Sequence, residues 1–253
     1  MSMLEVANLR RSFGGLVAVR DISFRVNEGD FLGLIGPNGA GKTTLFNLIT
    51  GVLKPSAGSV RFLDQDISGQ KANKTVRQGL SRTFQAATIY PEATVIENAI
   101  RGTFVSSRTG FWGGFFPSKW RAEAEEKAFQ VLELFGLTRR VGLKARELAY
   151  GEQRRLGVAI ALASDPKLLM LDEPVAGLNP EEAAELASVL RRVKTERGVT
   201  MVMVEHHMRT VMGLCNRIVV LDHGTLIAEG TPAEIVANPL VIEAYLGKEA
   251  VDA

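Results

Sequence analysis

The chain opens on alternating apolar and polar positions. In LEVANL and again in VAVRDISFRV apolar residues alternate with polar or charged ones, and the Gly-Gly of SFGG separates the two stretches. This is the pattern of antiparallel strands with one buried face. FLGLIG follows as a short uninterrupted apolar run, which suits a strand buried on both faces, and it leads straight into GPNGAGKTTLFNLITG. After the turn-rich KPSAGS, VRFLD reads as a further short strand. From Lys74 to Thr109 the pattern is mixed, with TVIENAIRGTF reading as helix. Residues 110–120, GFWGGFFPSKW, place five aromatic residues among glycines without any period. From Trp120 the helical period returns, through RAEAEEKAFQVLELFGL and GEQRRLGVAIALASD. Strand and helix then alternate: KLLMLDEP, PEEAAELASVLRRVKTER, VTMVMVEH, a short helix, RIVVLDHG and TLIAEG.

These elements predict an α/β domain with a helical insertion from about Ala86 to Ser164, so that residues 1–85 and 165–253 form the core and 86–164 a helical subdomain. A chain of 253 residues is long enough for one such domain, and 46% hydrophobic with 23% charged residues is ordinary for a folded protein, which excludes disorder. The formal net charge of +2 comes from acids and bases mixed along the chain, so no basic arm or acidic tail points to nucleic acid. Cys215 is alone and excludes an intrachain disulfide, and MSMLEVANLRR lacks the apolar core of a signal peptide. No window approaches the length of a membrane span, and the chain is expected on the cytoplasmic side of the membrane.

Three stretches carry candidate chemistry. Gly36 to Thr43, GPNGAGKT, fits G-x-x-x-x-G-K-[ST] between a buried strand and an amphipathic helix. Its glycines allow successive backbone N–H groups to point inward and form an anion nest at the helix start, with Lys42 placed for the β- and γ-phosphates and the Thr43 hydroxyl for Mg²⁺. In KLLMLDEP, Asp172 ends a buried strand, where open α/β sheets place ligands, and can hold Mg²⁺ through water. Glu173 follows as a carboxylate able to orient and deprotonate a water, although two acids before Pro174 also suit a solvated turn. LAYGEQRR, Leu148 to Arg155, reads by itself as the start of a buried helix with Glu152 near the positive end of its dipole, and the helix is expected to begin near Glu152.

The order of these motifs, with a helical insertion carrying LAYGEQRR just before the acidic strand, resembles the nucleotide-binding subunits of ATP-binding-cassette (ABC) proteins, from end to end of the chain. The resemblance implies a P-loop NTPase core, a mixed sheet with an N-terminal antiparallel β subdomain and an inserted α-helical subdomain. It implies ATP and Mg²⁺ as cofactors and assigns Gly36, Asn38, Gly39, Ala40, Gly41, Lys42, Thr43 and Thr44 to the phosphates. Phe13 looks like the aromatic residue that stacks on adenine, a contact of about 1–3 kcal/mol by analogy with base stacking; a core Phe at a strand end is the plainer reading. Gln85 in RTFQ is similar to the family's metal- and water-contacting glutamine, so Thr43, Gln85 and Asp172 form the metal set; Glu173 is the base and His206 contacts the γ-phosphate. Gly177, Leu178 and Asn179, in AGLNP, lie in the place of a loop that crosses to a paired subunit.

In that family the segment corresponding to Ala149, Tyr150, Gly151 and Glu152, usually Leu-Ser-Gly-Gly-Gln, binds the γ-phosphate held by the other subunit. Ala149 stands where serine is usual, which removes a hydrogen bond to a charged group worth about 1.5–3 kcal/mol. Glu152 replaces glutamine and is expected to face away, leaving the Gly151 N–H and the helix end to bind; Asn179 replaces a common aspartate.

SFGGLVAVRDISF, TFQ, TVIENA, LAYGEQRRL, LDEPVAGLNP, EHHM and the closing GTPAEIVANPLVIEAYLG together look like the ATPase subunits of bacterial branched-chain (hydrophobic) amino-acid importers. Urea or amide importers and a lipopolysaccharide-export ATPase are near neighbours. The resemblance implies a second ATPase subunit, identical or related, two membrane permease subunits, and indirectly a periplasmic or surface binding protein, with the chain peripheral on the cytoplasmic membrane face. GFWGGFFPSKW suits a permease contact or a loop folded onto its own helices. A non-transport ABC ATPase would carry two cassettes or a long coiled-coil insertion, and neither is read here. A cassette that pairs but hydrolyses poorly remains an alternative, on account of Ala149, Glu152 and Asn179.

Overall fold

The structure, a computed structural model, describes residues 2–83, 89–104 and 117–249, with 117–120 and 246–249 described by backbone alone. The chain divides into two compact units, Met1–Thr75 with Thr200–Ala253, and Val76–Val199.

In the first unit the alternating N-terminal stretches form β1 (Ser2–Phe13) and β2 (Leu16–Asn27), an antiparallel pair turned by Gly14 and Gly15. On its other edge β1 pairs antiparallel with β4 (Ala57–Phe62), which in turn pairs with the short β5 (Gln65–Asp66). Leu4, Val6 and Leu9 of β1 are all buried although Val6 and Leu9 are three positions apart. The register shifts between them, and Asn8 takes φ 47° at that point, so an extra residue is absorbed and Leu9 returns to the buried face.

The second sheet of this unit has the order β10-β9-β3-β8. Its centre is β3 (Phe31–Ile35), the FLGLIG run, flanked by parallel neighbours β8 (Thr200–Val204) and β9 (Arg217–Asp222), with β10 (Thr225–Gly230) antiparallel to β9. Every residue of β3 and β8 is buried, the burial that their unbroken apolar sequences predict. Helix α1 (Lys42–Ile49) leaves the loop after β3, and α2 (Ala72–Arg77) carries the chain into the second unit. After β8 come α7 (Met208–Leu214), α8 (Pro232–Val236) and α9 (Pro239–Glu249).

The second unit holds a parallel pair, β6 (Leu80–Arg82) and β7 (Leu168–Asp172), with α3 (Val95–Thr103), α4 (Pro117–Leu134), α5 (Tyr150–Ala163) and α6 (Pro180–Arg197). β6 is too short to show a period, which hid it within the mixed segment. Helix α4 begins three residues before Trp120, at Pro117, whose fixed φ and missing N–H suit a first helical turn. Val95 and Ala99 of α3, Ala128, Val131 and Leu132 of α4, and Leu156, Ala159 and Leu162 of α5 are fully or nearly fully buried, at the three- and four-residue spacing of one helix face. The aromatic stretch at 110–120 lies outside the residues whose side chains are described.

Caps fix where these helices start. Thr94 accepts the Glu97 N–H on its hydroxyl while Glu97 accepts the Thr94 N–H, at 3.3 and 2.8 Å. Just beyond, Asn98 is completely buried; its amide donates to the carbonyls of Tyr90 (3.1 Å) and Thr94 (2.9 Å) and accepts the Tyr90 N–H (2.7 Å). Asn98→Ala therefore orphans several buried backbone groups at once, and the expected cost is about 2–4 kcal/mol, from about 1–3 for each unsatisfied group with partial relaxation. Urea unfolding of the two proteins, compared by midpoint at equal slope, measures it; an unchanged midpoint would mean the loop before α3 finds other partners.

Candidate functional site

In the first unit, β3 ends at Ile35 and the chain turns through residues 36–41 into α1. Gly36 must be glycine: with φ 148°, a Cβ there would stand 2.1 Å from the Leu221 carbonyl oxygen. Gly41, at φ 96°, is the N-cap of α1 and has no side chain to offer the amides of the first turn. Lys42 is 6% exposed, and its ammonium donates to the carbonyls of Gly36 (2.6 Å) and Pro37 (2.9 Å). Asn38, Gly39 and Thr43 are exposed, Thr44 is half-buried and Ala40 is buried. A Cβ on Gly39 would meet nothing within 4 Å. Uncapped amides, the positive end of α1, a lysine and an exposed hydroxyl, with open space above, make a donor set that fits a polyphosphate and a hard cation.

The same unit carries three further candidates. Phe13 ends β1, 42% exposed, with the Arg11 guanidinium 4.6 Å over its ring. His206 is exposed just after β8, and its N–H donates to the carboxylate of Glu205 (3.1 Å), which is buried to 1% exposure. The Tyr245 phenol of α9 is pushed above the usual tyrosine range by burial and drawn back by a hydrogen bond with the Gly36 backbone.

In the second unit, Asp172 ends β7 at 4% exposure. Arg82, which ends β6 opposite Met170 of β7, donates to Asp172 Oδ2 at 2.6 Å, and the Asp172 N–H donates to the Thr83 hydroxyl at 3.1 Å. Glu173 follows at φ 47°, a left-handed backbone uncommon for a non-glycine residue, which turns the chain sharply off the strand. A cleft of about 270 Å³, lined among others by Arg82, Tyr90, Arg101, Arg154 and Pro174, opens beside this pair, so an occupant would meet the guanidinium that holds Asp172. Gln85 lies outside the described residues.

The LAYGEQRR stretch is also in this unit. Helix α5 begins at Tyr150, two residues before the expected start, because Glu152 sits at the third helical position and accepts the N–H of the N-cap Ala149 (3.1 Å). The other Glu152 oxygen takes the Arg140 guanidinium at 3.0 Å, so the acid is engaged within its own unit. Gly151 is buried, and a Cβ there would stand 2.4 Å from Glu182 Oε1. Asn179 is the N-cap of α6; its Oδ1 accepts from Glu181 (3.0 Å) and Glu182 (2.9 Å), a task at which asparagine and aspartate are equivalent. Before it, Gly177 is exposed at φ 78° and Leu178 is buried.

Sequence reading missed Arg82, Glu205, Arg140 and Tyr245. The one available signal was a charged residue, Arg82 or Glu205, beside an otherwise apolar strand; Arg140 and Tyr245 gave none. Among the described residues no three His, Cys, Asp or Glu side chains gather as a self-contained metal centre, and no helix is long and apolar enough to cross a membrane.

A family model described as ABC transporter matches residues 19–176, and a second, Branched-chain amino acid ATP-binding cassette transporter, matches 225–251. The high-affinity branched-chain amino acid transport ATP-binding protein LivG of Salmonella typhimurium is 42% identical over 250 residues, 97% of this chain and 98% of that protein. BraF of Pseudomonas aeruginosa, of the same description, is also 42% identical over 97% of this chain and 98% of its own. A crystal structure of the ADP conformation of an ATP-binding cassette of an ABC transporter superposes with a TM-score of 0.86 at 34% identity, covering 98% of this chain and 99% of that one. The chain belongs to the ABC transporter ATP-binding family, in the branch of the branched-chain amino acid transport ATP-binding proteins. It has the P-loop NTPase fold of these nucleotide-binding cassettes, and its enzymatic class is ATPase.

The buried Arg82–Asp172 pair yields a direct test. Arg82→Met leaves the Asp172 carboxylate buried without this cation, and the expected loss of stability is about 3–5 kcal/mol. Adding Asp172→Asn should recover most of it, because no uncompensated charge then remains. Chemical denaturation of wild type, single and double variants measures the coupling, and a double variant no more stable than Arg82→Met would refute it.

Proposed function

We propose that this chain is the ATP-hydrolysing subunit of a membrane importer for branched-chain or other hydrophobic amino acids, working as one of two paired cassettes. The observation that carries the reading is the loop from Gly36 to Thr43, where α1 starts without a side-chain cap and the Lys42 ammonium donates to carbonyls of its own loop. Those carbonyls are weak partners for a buried ammonium, and phosphate oxygens are stronger ones.

In this reading the backbone amides of Gly36, Asn38, Gly39, Ala40, Gly41, Lys42, Thr43 and Thr44, with the Lys42 ammonium, hold the phosphates of ATP, and Phe13 stacks on adenine across from Arg11. Thr43, Gln85 and Asp172 hold Mg²⁺, partly through water. The ion, when bound, neutralises charge on the β- and γ-phosphates. Arg82 holds the Asp172 carboxylate in place through a contact of 2.6 Å. Glu173, fixed by its left-handed backbone, orients the attacking water and takes its proton. His206, its own N–H held by buried Glu205, steadies the γ-phosphate.

Ala149, Tyr150, Gly151 and Glu152 serve the site of the partner subunit, with the Gly151 N–H and the start of α5 as donors and Gly177, Leu178 and Asn179 in the crossing loop. Because Arg140 and the Ala149 N–H engage Glu152, its charge is compensated where an anion would approach. Residues 86–164 form the helical subdomain within a core of 1–85 and 165–253. The partners are a second ATPase subunit, of this chain or a related one, two membrane permeases on whose cytoplasmic side the chain sits, and indirectly a substrate-binding protein; nucleic acid is not among them.

The test is ATP hydrolysis against protein concentration, with Glu173→Gln beside the parent and oligomeric state followed by size exclusion in ATP. The expected outcome is a rate rising with the square of concentration at low protein, lost in the variant while ATP now holds a dimer. A rate strictly proportional to concentration, with Glu173→Gln monomeric in ATP, would overturn the paired site.

A further inference from the structure

Tyr150 does something at the start of α5 that helix formation does not require. Its hydroxyl donates to the Ala176 carbonyl at 3.2 Å and accepts from Arg154 Nε at 2.9 Å, and the Arg154 guanidinium lies 5.2 Å from its ring centre. Gly177, at φ 78°, lies so close that a Cβ there would stand 3.1 Å from both the ring and its hydroxyl oxygen. The side chain is nevertheless 51% exposed, so burial of apolar area does not account for its place. It bridges a helix start and a loop 26 positions further along the chain.

A second link runs beside it. Glu182, on the first turn of α6, accepts the Asn179 N–H at 3.1 Å with one carboxylate oxygen, while the other packs against Gly151. Residues 149–151 and the loop 176–179 are thus bonded through the Tyr150 phenol, and the Glu182 carboxylate that holds the Asn179 N–H lies close against Gly151.

We propose that Tyr150 is a positioning residue that makes the start of α5 and the loop 176–179 one rigid element, so that both are presented together to the nucleotide site of the partner subunit. The proposal rests on the paired-cassette reading and deepens it. Two segments ordered separately would each lose conformational freedom on closure, whereas one preordered element delivers both contacts at once. In a two-fold pair each subunit gives this element to the other, so both sites form in one closure and closure is cooperative in ATP. Arg154 fixes the phenol's direction, since a hydroxyl that accepts from a guanidinium has its proton left for the Ala176 carbonyl.

The experiment uses the full chain. In the Glu173→Gln background, sedimentation in ATP measures the dimer dissociation constant for Tyr150 and for Tyr150→Phe, which keeps the ring and deletes the bridge. In the otherwise wild-type chain the Hill coefficient for ATP hydrolysis is measured for both. Binding of a fluorescent ATP analogue to the dilute monomer serves as the control, because the phosphate loop belongs to the other unit. Tyr150→Phe is expected to weaken the dimer by about three- to ten-fold, as loss of one hydrogen bond implies, and to bring the Hill coefficient toward one, with monomer binding and the urea midpoint unchanged.

An unchanged dimer constant and Hill coefficient would overturn the proposal. So would a loss matched by equal losses in monomer binding and stability, which marks a merely structural role. A parent that forms no dimer in ATP overturns the paired-cassette reading and this inference together; a parent that dimerises identically with and without the hydroxyl overturns this inference alone.

Discussion

Three strands whose every residue is buried set the terms for the rest of this molecule. β3, β7 and β8 have no solvent face, so the chain can turn and show polar groups only where each strand stops. Gly36 to Thr43 follow β3, Asp172 and Glu173 end β7, and Glu205 and His206 follow β8. In each unit the candidate residues therefore stand at carboxyl ends of buried strands, where open α/β sheets place ligands.

Three of the residues placed at such ends have partners inside their own units. Lys42 rests on Gly36 and Pro37, Asp172 on Arg82, and His206 is held through its N–H by Glu205. Lys42 and Asp172 are buried, and a buried charged group left without a partner destabilises the fold, so the chain satisfies both internally. The partners differ in strength. A carbonyl holds an ammonium less firmly than a guanidinium holds a carboxylate.

The departures from the family's usual signature also have a local physical account. Glu152 caps the helix start and pairs with Arg140, so its charge is answered within the unit. Asn179 caps α6 as an aspartate would. Ala149 alone brings no compensating side chain, and the donors that remain at this end of α5 are backbone amides. Tyr150, which stands where the family usually has glycine, adds a hydrogen bond to the loop at Ala176.

The sequence by itself determined the strands and their burial, because a run such as KLLML or FLGLI has one physical solution in water. It also determined the phosphate loop, because G-x-x-x-x-G-K-T after such a strand encodes a turn and a helix start in local chain stereochemistry. Its prediction that α5 starts near Glu152 was off by two residues, since the cap is a reach-back by a side chain rather than a property of position. What only tertiary structure decided were the contacts between segments distant along the chain: Arg82 on Asp172, Tyr150 on Ala176, Arg140 on Glu152 and Glu182 against Gly151. Such pairs leave no periodicity to read. They arise because burial of the apolar faces brings the chain ends of strands and helices together, and polar groups trapped there must then find one another.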